Sequence, residues 1–499
     1  MSSSAPLHTV LFQYSYLLPI AFLLSYTLYQ RFFSPLSRIP GPFLASLTRW
    51  YLVYQTRANH YNRTAQHLHA KYGPVVRIAP DEVSVADPEA IRKIYGAGNK
   101  FRKSDWYSVF QGGRKFDLFA GRDERVHGQQ RKMVARAYTM ETLKDLEPYV
   151  DNCIAVLRRK MEDGMGKSVD LAKWVQLFAF DVIGEVTWST SFGFLEAARD
   201  DGTFSTIIDI IESGAWLGQV PYIFTLHELL KPYIGSWLGV NARHGGLRNF
   251  ALRETAKRKE NPGGKRDIVS RLFETHEKQP EEYTYADVVS MATSNINAGS
   301  DTTAITIRAI LYYLLKNADA QARLVGEIDD ARSCGELSNP VTFDEAMKLK
   351  YLQATMHEGL RMHPAVGMNL PRVVPPGGTE IGGYYVPGGN VVGVNAWVMH
   401  LNKDIYGDDA DKFRPERWLE RDTGDMLRYF MSFGAGSRAC IGRNISWLEM
   451  SKLIPTLFLN YTIELVDPSK DWSEECTFFV QQKDIDVYLR PRPDPAGQA

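Results

Sequence analysis

Cysteine is scarce in this sequence: 499 residues hold four, at positions 153, 334, 440 and 476. Four thiols this scattered are too few for a disulfide framework. No CxxC pair occurs either, which removes the usual structural zinc pattern. Net charge is also lacking, since 58 lysines and arginines balance 58 aspartates and glutamates. A nucleic-acid binder holds phosphates with a basic excess, so no nucleic-acid partner is expected. Internal repeats and low-complexity tracts are missing too. What is present is 44% hydrophobic and 12% aromatic residues, a composition that buries a large core and argues against disorder. The remaining classes are a large globular enzyme or a binding protein with reduced thiols.

One long uncharged run stands at the start, Val10 to Leu28 (VLFQYSYLLPIAFLLSYTL). About 20 apolar residues cross a bilayer, so this run suffices as a transmembrane helix, and Pro19 is tolerable in it. A cleaved signal peptide is the competing reading. It is disfavoured because no basic segment precedes the run and no small-x-small cleavage site follows it. Arg31, Arg38 and Arg49 come after the run, which places the body on the cytosolic side of a single-pass anchor. The expected organisation is an anchor over 1–33, a proline-rich arm over 34–43 (Ser34 to Phe43, including Pro40-Gly41-Pro42), and one mostly helical body over 44–499. Each proline fixes φ and extends the residue before it, so the arm reads as a stiff spacer.

Within the body, a helical pattern without proline runs from Thr284 to Lys316, and Thr284 with Asp287 resembles a capping box. Gly299 in mid-helix signals a close approach, by a neighbouring helix or by a ligand. Thr379 to Val394, rich in glycine and β-branched residues, reads as β-hairpin material. The basic run from Lys257-Arg258-Lys259 to Lys265-Arg266 reads as a solvated loop, with docking as the lesser reading.

The most specific segment is Phe433-Gly434-Ala435-Gly436-Ser437-Arg438-Ala439-Cys440-Ile441-Gly442. Its glycines let the backbone turn tightly against a flat ligand. Backbone N–H groups and an arginine around Cys440 favour a thiolate. A thiolate is a strong axial ligand for heme iron. The competing reading is a small buried cysteine. Five fixed positions would recur by chance on the order of once in 10⁵ trials at ordinary residue usage, which rejects it.

This loop resembles the heme-binding loop of the cytochrome P-450 superfamily, matching FxxGxRxCxG at every fixed place. Glu358-Gly359-Leu360-Arg361 resembles the family's helical ExxR, and Phe413 to Trp418 resembles the segment that supplies its partner arginine, here Arg417. Ala298-Gly299-Ser300-Asp301-Thr302-Thr303 resembles the oxygen-activating stretch of the long central helix. The anchor and Pro-Gly-Pro arm are similar to those of eukaryotic members. His127, where members often carry a propionate-contacting tryptophan, and Ala137-Tyr138-Thr139-Met140 resemble fungal members related to pisatin demethylase.

The resemblance implies a mainly α fold with small β-sheets, a single large helix-rich heme domain behind the transmembrane helix. It implies heme b (iron protoporphyrin IX), with Cys440 as the iron's axial ligand and Phe433 in the cofactor loop. Arg438, Arg372, Arg131 and His127 would lie against the heme propionates, His127 with some sensitivity to pH. Thr302 would orient dioxygen and Asp301 would gate protons, although an isolated mid-helix threonine more often bonds its own backbone. Glu358, Arg361 and Arg417 would brace the proximal side. The implied reaction inserts one oxygen atom of O2 into an apolar organic substrate, probed here by Trp106, Tyr107, Phe110, Val366, Met368, Phe478 and Phe479.

No flavin or NADPH module is seen after the cysteine loop. NADPH is therefore expected to act only indirectly, through a separate NADPH-dependent flavin reductase. The implied location is the endoplasmic reticulum membrane, with Trp216-Leu217 and Pro221 to Phe224 dipping into the bilayer surface. Two other readings stay open: a heme-thiolate isomerase or dehydratase working without a reductase, and a non-catalytic heme-binding protein.

Overall fold

In the computed structural model, which describes residues 17–493, the chain opens with the apolar helix α1 (Leu17–Leu28), none of whose residues is buried. Twelve residues rise about 18 Å, short of the roughly 30 Å hydrocarbon layer. Among the described residues no helix is long and apolar enough to cross a membrane. The stretch from Val10 to Tyr16, which belongs to the expected span, lies outside the described residues. The proline arm is docked on the body. Leu36 and Ile39 are buried, and the backbone N–H of Arg77 donates to Pro40 O at 2.7 Å.

Arg77 belongs to the first of several short strands: β1 (Val75–Ala79), β2 (Glu82–Val85), β3 (Arg102–Lys103), β4 (Arg372–Val373), β5 (Thr379–Ile381), β6 (Tyr384–Val386) and β7 (Val391–Val394). Five of them form one sheet in the order β1-β2-β7-β4-β3. The expected hairpin at 379–394 is present as β5 and β6, turning at Gly382 and Gly383 with φ of +53° and +79°. The last part of that segment does not belong to it. β7 pairs with β2 and β4, because its valines are buried on both faces like the rest of the larger sheet. A second hairpin, β8 (Ser473–Cys476) and β9 (Val480–Lys483), carries Phe478 and Phe479 at its turn.

Helices form the bulk of the body: α2 (Glu124–Val134), α3 (Glu147–Asp163), α4 (Leu171–Trp188), α5 (Thr203–Leu217), α6 (Pro221–Ile234), α7 (Gly246–Glu260), α8 (Tyr285–Lys316), α9 (Lys350–Met362) and α10 (Arg443–Asn460). The 32-residue α8 starts at a true capping box: the Thr284 side chain receives Asp287 N–H, and the Asp287 carboxylate accepts the Thr284 N–H at 2.8 Å. The hydroxyls of Thr293, Ser300, Thr302 and Thr306 each donate to the carbonyl four residues earlier, so polar side chains cross the core self-satisfied. The glycine at 299 answers to a helix neighbour, since a Cβ there would lie 2.7 Å from Ile183 Cδ1 on α4.

The basic run at 257–266 is not simply a solvated loop. Its first half ends α7, and Arg258 is buried, paired with Asp267 and with the Trp188 carbonyl. A guanidinium can close a helix end against a carboxylate where a solvated charge would have no reason to be.

Candidate active site

A cavity of about 360 Å³ lies between α8 and the cysteine loop. The loop comes straight off the body into α10. Cys440 N–H donates to Phe433 O at 2.8 Å, which closes the loop, and Gly436 sits at φ +64°. A Cβ at Gly436 would fall 1.7 Å from Tyr95 O, so only glycine lets the loop pass under that carbonyl. Cys440 and Phe433 both line the cavity.

The Cys440 side chain is exposed, and it borders the cavity. The Gly442 N–H, the Arg131 charge and the Arg443 N–H favour its thiolate, against desolvation, and a metal ion bound there would favour it further.

Among the described residues six cations line the same cavity, including Lys103, Arg131, Arg372 and Arg438. Arg438 Nε donates to Glu124 Oε2 at 2.8 Å, and Arg372 Nη1 reaches Glu124 Oε1 at 3.3 Å. Glu124, in the first turn of α2, thus aims two guanidiniums from distant parts of the chain. Arg372 Nε and Arg438 Nη2 remain buried without an acceptor. Two orphaned guanidinium donors beside further cations fit a ligand that presents carboxylates. Together with a cysteine facing the same space, the donor set fits heme: sulfur for the iron, cations for the propionates.

His127 is buried beside this cluster but is not among the residues lining the cavity. Burial first, then the charges of Arg438, Lys103, Arg131 and Arg372, push its pKa down to about 3. In the protein alone it is neutral at physiological pH, and a carboxylate beside it would raise the value. Lys103 was not singled out from the sequence. Burial and its arginine neighbours lower its pKa well below the usual lysine value. A lysine at the start of the aromatic stretch from Phe101 to Ala120 was the available signal.

Across the cavity, Ala298, Gly299 and Thr302 supply the wall from α8. The Thr302 hydroxyl donates to Ala298 O at 2.7 Å, the ordinary backbone bond of a helical threonine, while the residue still borders the cavity. Asp301 points elsewhere. It is buried, accepts a hydrogen bond from Gln176 Nε2 of α4, and does not line the cavity. Burial raises its pKa to about 6, against the opposing pull of Arg308 and of that hydrogen bond.

On the proximal side, Glu358 receives Arg361 through both carboxylate oxygens at 2.8 Å, Arg417 Nε at 2.9 Å and Trp418 Nε1 at 2.9 Å. All three triad members are buried. Of the seven aromatic and apolar residues expected around a substrate, Tyr107, Phe110, Val366, Met368, Phe478 and Phe479 line the cavity. Trp106 does not. It lies behind Phe110 and Phe478, with ring centroids 5.0 and 5.3 Å away, and its Nε1 donates to Ala215 O.

A thiol-bearing loop, a helical wall with a threonine, and a propionate-ready cation cluster define a heme-thiolate protein of predominantly helical fold. The cytochrome P450 family model matches residues 40–489, and the chain belongs to that family. Among curated relatives, the cytochrome P450 monooxygenase hepC of Aspergillus oryzae is 41% identical over 91% of this chain and 92% of its own. The monooxygenase gsfF of Penicillium aethiopicum is 37% identical over 94% and 96%. Pisatin demethylase of Fusarium vanettenii is 34% identical over 95% and 92%.

Proposed function

We propose that this cytochrome P450 is a membrane-anchored monooxygenase that oxidises an apolar organic substrate, in fungal secondary metabolism, with electrons from an NADPH-dependent flavin reductase. The observation that carries it is Cys440 facing, across one cavity, the Thr302 wall of α8, with Arg372 and Arg438 holding spare donors at the rim. Heme held by Cys440 supplies dioxygen activation. The protein's own part is positioning. Glu124 orients the two guanidiniums for the propionates, and Gly436 lets the loop seat the sulfur. Thr302, its proton committed to Ala298 O, keeps oxygen lone pairs to accept a hydrogen bond at the cavity wall. Asp301, poised near pH 6, can take and release a proton near neutrality. Phe110, Phe478 and Phe479 give the substrate an apolar, water-excluding wall.

The proposed location is the endoplasmic reticulum membrane, body toward the cytosol, anchored by the apolar run that includes α1. A second apolar surface supports this reading. On α6 and just after it Tyr222, Leu226, Leu229, Tyr233 and Trp237 are 55–87% exposed. The residues expected from sequence to dip into the bilayer are largely turned inward: Leu217 and Phe224 are buried and Trp216 lies under Arg57. The surface begins at Tyr222 and continues two turns further along α6.

The test is a reduced carbon-monoxide difference spectrum of the full chain in membranes, beside Cys440→Ala. A strongly red-shifted Soret band in the parent alone is expected. Its absence from intact heme-loaded protein rejects the assignment of Cys440.

A further inference from the structure

Of the cations that line the cavity, Arg131 and Arg248 have no hydrogen bond or ion pair with any described residue, and only Arg131 of the two belongs to the propionate-facing cluster. Lys103, Arg131, Arg372 and Arg438 form the propionate-facing cluster around Glu124. Arg114 is neutralised by Asp117 at 2.5 Å and donates to Phe110 O at 2.9 Å. Arg248, in the first turn of α7, also lines the cavity, half-buried, and has no hydrogen bond or ion pair with any described residue. A half-buried guanidinium at the cavity wall keeps its donors free for an acceptor on a ligand.

The α8 face of the cavity is polar along one stripe. Ser290, Ser294 and Asn297, spaced four and three residues apart, all border the space. Ser290 donates its hydroxyl to Phe116 O at 3.0 Å. Asn297 Nδ2 donates to Thr293 O at 3.1 Å, but its Oδ1 is buried with no donor. The cavity thus has, apart from the propionate-facing cluster, a free cation and an orphaned amide oxygen. Asn297 precedes Thr302 by five residues, about 7.5 Å along the helix axis.

We infer that Arg248 is a specificity residue that binds the carboxylate of an amphiphilic substrate: an organic acid whose apolar body extends from the Ser294–Asn297 stripe toward the Thr302 wall. This rests on the reading that the cavity takes a substrate, and it narrows the substrate from apolar to apolar and acidic. The carboxylate accepts from the guanidinium, and a hydroxyl on the same molecule would satisfy Asn297 Oδ1. A charged hydrogen bond in such a site is worth about tenfold or more in affinity.

The experiment is equilibrium dialysis of the full chain at pH 7.5 with 6-hydroxy-2-naphthoic acid and with its methyl ester. The parent is compared with Arg248→Gln and Arg248→Lys, and carbon-monoxide spectra are recorded in parallel. The parent is expected to bind the acid about tenfold more tightly than the ester. Arg248→Gln should bring the two within about twofold while leaving ester binding unchanged, and Arg248→Lys should restore part of the preference. Equal binding of acid and ester by the parent, no binding of either, or an acid preference that survives Arg248→Gln overturns the inference. Dialysis needs no heme signal. An acid preference without the red-shifted band would therefore sink the monooxygenase reading and leave the anion site standing.

Discussion

Arg417 and Glu358 stand 59 residues apart in the chain, yet Arg417 Nε lies 2.9 Å from Glu358 Oε1 with both side chains fully buried. Arg361 binds the other edge of the same carboxylate. Burial by itself would raise the Glu358 pKa, but the hydrogen bonds and charges of Arg361 and Arg417 hold it below the usual range. Its stabilising contribution is therefore complete above the unfolded value near 4.3 and is lost as pH falls through the lower folded value. Removing one partner leaves a buried charge uncompensated. Arg417→Leu should cost about 3–5 kcal/mol in chemical denaturation and lower heme content. A cost under about 1 kcal/mol would show that the triad is not the brace described.

Buried histidines, His127 and two more, set a second pH dependence. Burial depresses His363 to about 4 and His400 to about 3, against opposing backbone hydrogen bonds. His400 accepts the Met431 N–H through Nε2 and faces Arg361 O through Nδ1, which fixes it as the neutral Nδ1–H tautomer. Both histidines are neutral in the folded chain and protonate when it unfolds. Stability should fall as pH drops below about 6.5, by up to about 1.4 kcal/mol per pH unit for each, until the folded values are reached. Urea unfolding at pH 7.5 and 5.5 measures it, and equal stabilities at the two would contradict the prediction.

Gly436→Ala places a Cβ into Tyr95 O and a side chain at φ +64°. The backbone conformation alone costs about 1–2 kcal/mol, and the clash adds to it. The expected outcome is folded protein with little or no heme, read from Soret absorbance against total protein. Normal heme loading would mean that the loop can reroute.

Thr302→Ala removes a half-buried methyl and a hydroxyl already bonded to its own helix, so stability should change by less than about 1 kcal/mol. Product formed per NADPH consumed should nonetheless fall. Asp301→Asn should slow turnover and abolish an inflection near pH 6 in the parent's rate profile, because that carboxyl titrates there. Unchanged coupling in Thr302→Ala, together with an unaltered pH profile in Asp301→Asn, would remove both residues from the chemistry.

The exposed apolar residues of α6 predict residual membrane binding. A chain lacking residues 1–33 should still float in part with liposomes, and Leu229→Lys with Tyr233→Lys in that background should release it. Fully soluble behaviour of the truncated parent would count against this surface.

The motifs that local chemistry dictates were legible in the one-dimensional chain. The cysteine loop, the ExxR pair at one face of a helix turn, and the capped helix from Thr284 depend on spacings of ten residues or fewer. The loop's fixed glycines, arginine and cysteine sufficed to name the family, and the capping box placed the start of α8 to the residue. Local sequence also determined that the chain is helix-rich and that Cys440 is the sulfur in question.

Tertiary structure decided what long-range packing controls. It turned Asp301 from the cavity toward Gln176, left Trp106 behind Phe110, and made Arg258 a buried partner of Asp267. It gathered Lys103, Arg131, Arg372 and Arg438 around Glu124 although up to 314 residues separate the members of a pair. The physical reason is common to all of these. Hydrogen bonding along a helix or turn is fixed by neighbours in the chain, whereas desolvation and electrostatic pairing depend on which distant side chains share the same space.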